Sequence, residues 1–309
     1  MELGLYHTCF LDWPIDRLFS WMQAHNFRVA ELHGGPKYRH ISWPEVADGR
    51  DREVRLLAER HGIEICDIMY GPLNFLSPEA HVRREAQNYA MMLLRAASRL
   101  GVPSVSVFTG RDPALSLEQN LVALPDALAP VLDVAERVGV KLALENCPMA
   151  HEWPWVYNVA VSPALWREIF RRLPTPYLGL TLDPSHLVWQ GIDYISAVKE
   201  FAGRIVLAQA KDTEVMPEIL RDEGIFLHHF WRHRIPGQGQ VDWKRYIAAL
   251  VEAGYHGPLV LEHEDPFYQG TDQAVETGVL LSQQYLSPYL SLDLGWRSRE
   301  PRDAGATRT

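Results

Sequence analysis

The chain has 309 residues, 47% of them hydrophobic and 22% charged, which is enough to bury one large core and too apolar for a disordered polymer. Acidic residues outnumber basic ones 39 to 30, for a formal charge of -9, and no dense Lys/Arg run tracks a phosphate backbone, so nucleic acid is a poor partner. Three widely spaced cysteines without CxxC spacing imply reduced thiols, and no apolar run nears the ~18 to 20 residues that span a bilayer; a cytoplasmic protein with no membrane partner is expected.

The N-terminal "MELGLYHTCFLDWPID" has no basic segment followed by an apolar one, so no secretory leader is expected. From there short apolar runs alternate with longer amphipathic ones. "ELGLYH" (2–7) precedes a helical pattern at 15–25, and "RVAELH" (28–33) one at 51–61. "IEICDIMY" (63–70) leads to a helix over 78–100, and "SVSVFTG" (104–110) to one over 117–138. "VKLALEN" (140–146) enters a long loop before a helix at 163–172, and "LGLTLD" (178–183) is followed by one near 194–201. "RIVLAQA" (204–210) passes through a second long loop to a helix at 243–253, and "GPLVLEHE" (257–264) leads to one at 272–284.

Eight strand and helix units in strict alternation imply parallel strands with crossover helices, and the expected fold is a (β/α)8 TIM barrel, one domain over residues 1–290. "RHGIEI", "RLGVPSV", "RVGVKLAL" and "EAGYHGPLVL" each set a glycine just past a helix, where a left-handed cap is needed, directly before the next strand. The rival open sheet lacks its usual signals, since no GxGxxG follows the first strand and no Walker-type loop is present. Residues 291–309, charged and without apolar periodicity, are expected to be a disordered tail.

The loops at 147–163 and 211–243 exceed the usual ~2 to 6 residues and follow strands five and seven, on the functional face of such a barrel. On the same face Glu145 ends the fifth strand, Asp183 the sixth, Gln209 the seventh and Glu262 the eighth. Three converging carboxylates repel, so either a cation neutralises them or some are protonated. The competing reading is that such residues cap helices, as Asp183 before "PSH" could.

The order "ALENCPM", "LTLDPSHLVWQGID", "RIVLAQAKD", "RHRIPGQGQVDW" and "GYHGPLVLEHED" resembles the xylose-isomerase-like TIM barrels, the sugar phosphate isomerase/epimerase superfamily also called AP endonuclease family 2. The resemblance implies one divalent metal ion held by Glu145, Asp183, Gln209 and Glu262, with Gln209 standing where the family's "HxHxKD" phrase has histidine. An amide oxygen is a neutral hard donor, so the all-oxygen set favours Mn²⁺ or Mg²⁺ over Zn²⁺. The resemblance also implies that Glu145 and Glu262 exchange roles as catalytic base and acid, and that His186 and Arg234, with Arg232 as alternate, bind substrate. His7, Lys211 and Trp153 join them as candidate substrate-binding residues.

A more distant branch, endonuclease IV, carries three zinc ions. "WRHRIPGQG" aligns His233 with one of its ligands, but Trp231, "FTG" (108–110) and "MYG" (69–71) stand where others are required. Cys147, without a His/Asn partner in evidence, reads as a small buried thiol. The implied activity is isomerisation or epimerisation of a keto sugar or polyol-derived ketone by proton abstraction beside a metal-bound carbonyl. The alternatives are a lyase or dehydratase acting on an inosose or 3-keto-glycoside, and a noncatalytic carbohydrate-binding barrel. The expected partner is a small carbohydrate, and a homo-oligomer is left open.

Overall fold

The computed structural model describes residues 1–36, 38, 40–148, 157–226 and 229–290. Eight strands close into a barrel: β1 (Leu3–Tyr6), β2 (Val29–His33), β3 (Glu64–Met69), β4 (Ser104–Val107), β5 (Lys141–Glu145), β6 (Leu178–Leu182), β7 (Ile205–Ala210) and, after a two-stranded excursion, β10 (Leu259–Leu261). All eight neighbouring pairs are parallel, and β1 closes the ring against β10, with Leu3 opposite Leu259.

Parallel strands between helices are buried on both faces, and the core divides accordingly. Outside the ring, Leu5, Ala30, Leu32, Ile68, Leu142, Leu144 and Leu180 pack against helix residues such as Leu18, Leu93, Leu128 and Trp166. Inside it, Tyr6, Val29, Cys66, Met69, Phe108, Leu207 and Val260 form a separate apolar cluster. The interior also carries buried polar groups: Glu31, Asp67, Ser104, Ser106, Thr181 and Gln209.

The glycine punctuation read from the sequence is present. Gly62, Gly101 and Gly139 are left-handed C-caps at φ 62°, 74° and 71°, and Gly254 at φ 77° follows the end of Trp243–Glu252. The helix expected at 163–172 is Pro163–Arg172, while the last one runs further than expected, Asp272–Leu290. A short helix at Trp43–Ala47 was not anticipated.

The larger difference lies after β7. The segment read as one long loop contains an antiparallel hairpin, β8 (Asp212–Val215) with β9 (Trp231–Arg234), and a helix at Pro217–Glu223. Asp212 organises its base: Oδ1 accepts from the Val241 and Thr213 N–H groups, and Oδ2 from the Gly237 N–H and Trp243 Nε1 at 3.0 and 2.9 Å. A Cβ on Gly239 would lie 2.2 Å from Asp212 Oδ1, so this "KD…PGQG" arrangement needs glycine there. Trp153, His151 and His228 lie outside the described residues, as does the tail at 291–309. Among the described residues no helix is long and apolar enough to cross a membrane.

Candidate active site at the barrel mouth

Glu145 is the last residue of β5, Asp183 follows β6 by one residue and Glu262 follows β10 by one; all three are buried. Their carboxylate oxygens can be chosen so that all lie within 4.8 Å of one another. Local hydrogen bonds hold this convergence. Asn146 Nδ2 donates to the Asp183 carbonyl at 2.9 Å while its Oδ1 accepts from the Asp183 N–H at 2.8 Å, tying the ends of β5 and β6 together. Asn158 Nδ2 donates to the carbonyls of Glu145 and Cys147, both at 2.9 Å, and its Oδ1 accepts from Thr109. Asp183 itself accepts from the Ser185 N–H and Oγ, each at 2.9 Å.

Lys211 supplies the charge these acids need. Its buried ammonium lies 2.9 Å from Glu262 Oε2, 2.9 Å from Glu264 Oε2 and 3.2 Å from Asp183 Oδ2. Burial pushes Glu262 up to about 7 against the pull of Lys211, and raises Glu145 well above the usual carboxylate range, with the charge of Glu262 adding to the rise. Asp183 is raised by burial, with Lys211 opposing, and Lys211 is raised by its three carboxylates against burial.

Gln209 sits one layer deeper. It pairs with Val260, whereas Glu262 lies two residues further along the eighth barrel strand. Its Nε2 donates across the interior to Glu31 Oε2 at 3.1 Å and Oε1 at 3.3 Å, and its buried Oε1 has no hydrogen-bond partner. Below, Asp67 Oδ1 accepts from Ser104 Oγ at 2.5 Å. Burial raises both acids, Glu31 strongly and with help from the Asp67 charge, Asp67 to about 6.

His186 joins the cluster, its Nε2 3.3 Å from Asp183 Oδ2 and 3.8 Å from Glu145 Oε1. His7 is fully buried; its Nδ1 lies 2.9 Å from the donating His33 N–H and 3.4 Å from the Glu31 carbonyl, while its Nε2 has no hydrogen-bond partner. Burial lowers His7 to about 3, so it is neutral. Arg234 is not joined to the carboxylate cluster. It clamps the hairpin to the loop after β10, bonded to Asp265 at 3.0 Å, Glu214 at 2.5 Å and Gln238, while Arg232 meets Glu214 at 2.8 Å.

Glu31, at the end of the second strand, is legible in the sequence as a pocket-facing candidate beside His7, whereas Glu264 and the position of Cys147 are not among the candidates. The two-residue step from Glu262 to Glu264 in "LEHED" was the available signal, since alternate residues share a side of an extended chain. The same rule links Glu145 to Cys147, which is half-buried rather than enclosed. His233, 5.8 Å from His186 ring to ring, has its Nε2 3.5 Å from Glu264 Oε2.

The residues present suit a divalent ion: three convergent carboxylates on rigid strand ends, an unpartnered buried amide oxygen at Gln209, and room for charge now balanced by one lysine. The cavity of about 640 Å³ at the opposite end, lined by Glu2, Glu64, Lys141 and Tyr177, draws on strand beginnings and gathers no such set.

A family model described as a xylose isomerase-like TIM barrel matches residues 19–283. The inosose isomerase of Bacillus subtilis is 29% identical over 170 residues, 54% of this chain and 56% of that one; the chain spans about half the length of such curated relatives. The solved structure of the IOLI protein with a bound zinc atom superposes with TM-score 0.72 at 20% identity, covering 94% of this chain and 100% of that one. D-psicose 3-epimerase of Clostridium cellulolyticum H10 with D-tagatose gives TM-score 0.72 at 16% identity, over 94% and 99% of the two chains.

Proposed function

The chain belongs to the xylose isomerase-like TIM barrel family, and from that premise we propose that it is a metal-assisted isomerase or epimerase of an unphosphorylated keto sugar or related polyol-derived ketone. The observation that carries the reading is the meeting of Glu145, Asp183 and Glu262 from three separate strand ends, with the Lys211 ammonium held by Asp183 and Glu262. The inosose isomerase and the D-psicose 3-epimerase among similar proteins support the substrate class.

Glu145, Asp183 and Glu262 would hold the ion, with Gln209 Oε1 as a neutral fourth donor; oxygen ligands of this kind suit Mn²⁺ or Mg²⁺. When bound, such an ion polarises a carbonyl and makes the neighbouring carbon more acidic. The chain's own residues then move the proton. Glu262, pushed up to about 7 by burial, can take a proton and give it back near neutral pH. Glu145, at the end of a different strand, would act from another side of the same carbon. Lys211 and His186 present donors to substrate oxygens beside these carboxylates. Arg234 acts by fixing the hairpin as a wall of the site, where Trp231 stacks on Trp189 at 4.8 Å between ring centroids.

Incubating protein loaded with Mn²⁺ or Mg²⁺ with a panel of ketohexoses, ketopentoses and inososes, and reading products by NMR, tests the assignment. An epimer or ketose–aldose pair with an intact carbon skeleton supports it. An unsaturated product would move the chain to the lyases, and no turnover of any panel member would sink the enzyme reading.

A further inference from the structure

Within the carboxylate cluster the three acids are not equivalent. Lys211 forms ion pairs with Asp183 and Glu262, and none with Glu145 among the described residues. Glu145 is nevertheless buried, and the ion pair described for its carboxylate is the long one to His186 Nε2, at 3.8 Å. One ligand atom each from Glu145, Cys147 and His186 lie within 4.8 Å of one another. We infer that these three residues form a second cation position, distinct in chemistry from the oxygen set and suited to zinc, with Glu145 shared between the two.

The donor types decide the metal. A thiolate, an imidazole and a carboxylate are the ligands zinc takes in sites that keep a fourth position open, whereas Mg²⁺ and Mn²⁺ favour oxygen. Ligand atoms around one tetrahedral zinc stand about 3.3 to 3.7 Å apart, so atoms within 4.8 Å close on an ion after side-chain movements of about 1 Å. The backbone under them is fixed. Asn158 holds the carbonyls of Glu145 and Cys147 together, and His186 follows Ser185, whose N–H and Oγ are held by Asp183. Glu145 has two carboxylate oxygens, so one can face the oxygen set while the other faces the thiol. The position shares Glu145 and His186 with the site proposed above, and its own support is the donor set and its geometry.

Cobalt(II) is the probe. Chelator-treated full-length protein titrated with Co²⁺ is expected to develop a near-ultraviolet thiolate-to-cobalt charge-transfer band that saturates and is displaced by Zn²⁺. Cys147→Ser, with Cys9 and Cys66 left in place, is expected to lose the band and to weaken zinc binding about ten-fold or more, with an unchanged far-UV circular dichroism spectrum. Cobalt bound through visible d–d absorption with no charge-transfer band would overturn the inference while leaving the oxygen-ligand reading standing. A band that persists in Cys147→Ser would overturn it as well. Binding of neither Co²⁺ nor Mn²⁺ would remove both. Should Cys147→Ser fail to fold, alkylation of wild-type Cys147 with and without Zn²⁺ gives the same decision: protection supports the site, and equal rates refute it.

Discussion

Gln209 and Glu31 meet across the barrel interior, the amide nitrogen of one donating to both carboxylate oxygens of the other at 3.1 and 3.3 Å. The contact spans strands that are not neighbours, since β10 and β1 stand between β7 and β2 in the ring. It fixes which end of the amide is which, leaving Oε1 without a partner. If Gln209 is the proposed fourth donor, Glu31 would do for it what an outer carboxylate does for a ligating histidine. Glu31→Gln removes that selection while keeping the volume. Calorimetric titration with Mn²⁺ is expected to show affinity reduced by about 10-fold, the usual loss for such supporting groups. Unchanged affinity would mean that the amide orientation is irrelevant to metal binding.

Lys211 is the internal counter-ion of the mouth, and removing it should split stability from metal affinity. Lys211→Met leaves Asp183 and Glu262 facing one another without their ammonium. The metal-free variant is expected to lose about 3 to 5 kcal/mol, the range for breaking a buried ion pair on one side. Saturating Mn²⁺ should restore most of that loss, because the ion no longer competes with a fixed positive charge. Urea denaturation with and without Mn²⁺ measures both quantities; a loss that metal does not repair contradicts the account.

The barrel was legible in the sequence because its evidence is repeated. Four glycine-terminated helices followed by apolar runs fix the rhythm, and the glycines adopt the left-handed conformation that the pattern requires. Glu145, Asp183 and Glu262 were legible because strand ends locate them without any knowledge of packing. The hairpin was not: "DTEV" and "WRHR" are four-residue strands held by each other and by Asp212, and partners fifteen or more residues apart leave little trace in local pattern. The Glu31 contact was hidden for a related reason, since it joins residues 178 positions apart across a closed ring. Lys211 was expected at the substrate, yet its place among three carboxylates follows from the β7–β10 register, which periodicity alone does not supply.

Acid sensitivity should trace in part to His7. Burial holds it at about 3, against an ordinary value of 6.5, with His33 and His40 adding to the depression. Below pH about 6.5 the unfolded chain takes up a proton that the folded one refuses. Stability from this residue therefore falls as pH drops from about 6.5 toward about 3, by up to about 1.4 kcal/mol per pH unit. His7→Gln keeps an acceptor for the His33 N–H and removes the titration. Between pH 6.5 and 5 the variant is expected to lose about 2 kcal/mol less than wild type in denaturant titrations. Parallel pH curves would show that His7 is not held neutral.

Glu145 and Glu262 are proposed to move a proton on a carbon next to a carbonyl, and solvent exchange reads that step without requiring the natural substrate. Metal-loaded protein in D₂O, incubated with a ketose panel and followed by NMR, is predicted to place deuterium on the carbon beside the carbonyl of at least one sugar. Glu262→Gln and Glu145→Gln should each slow this by 10²-fold or more, about the contribution of a positioned general base. Exchange that continues unchanged in the double variant, or an absence of exchange across the whole panel with metal bound, would contradict it.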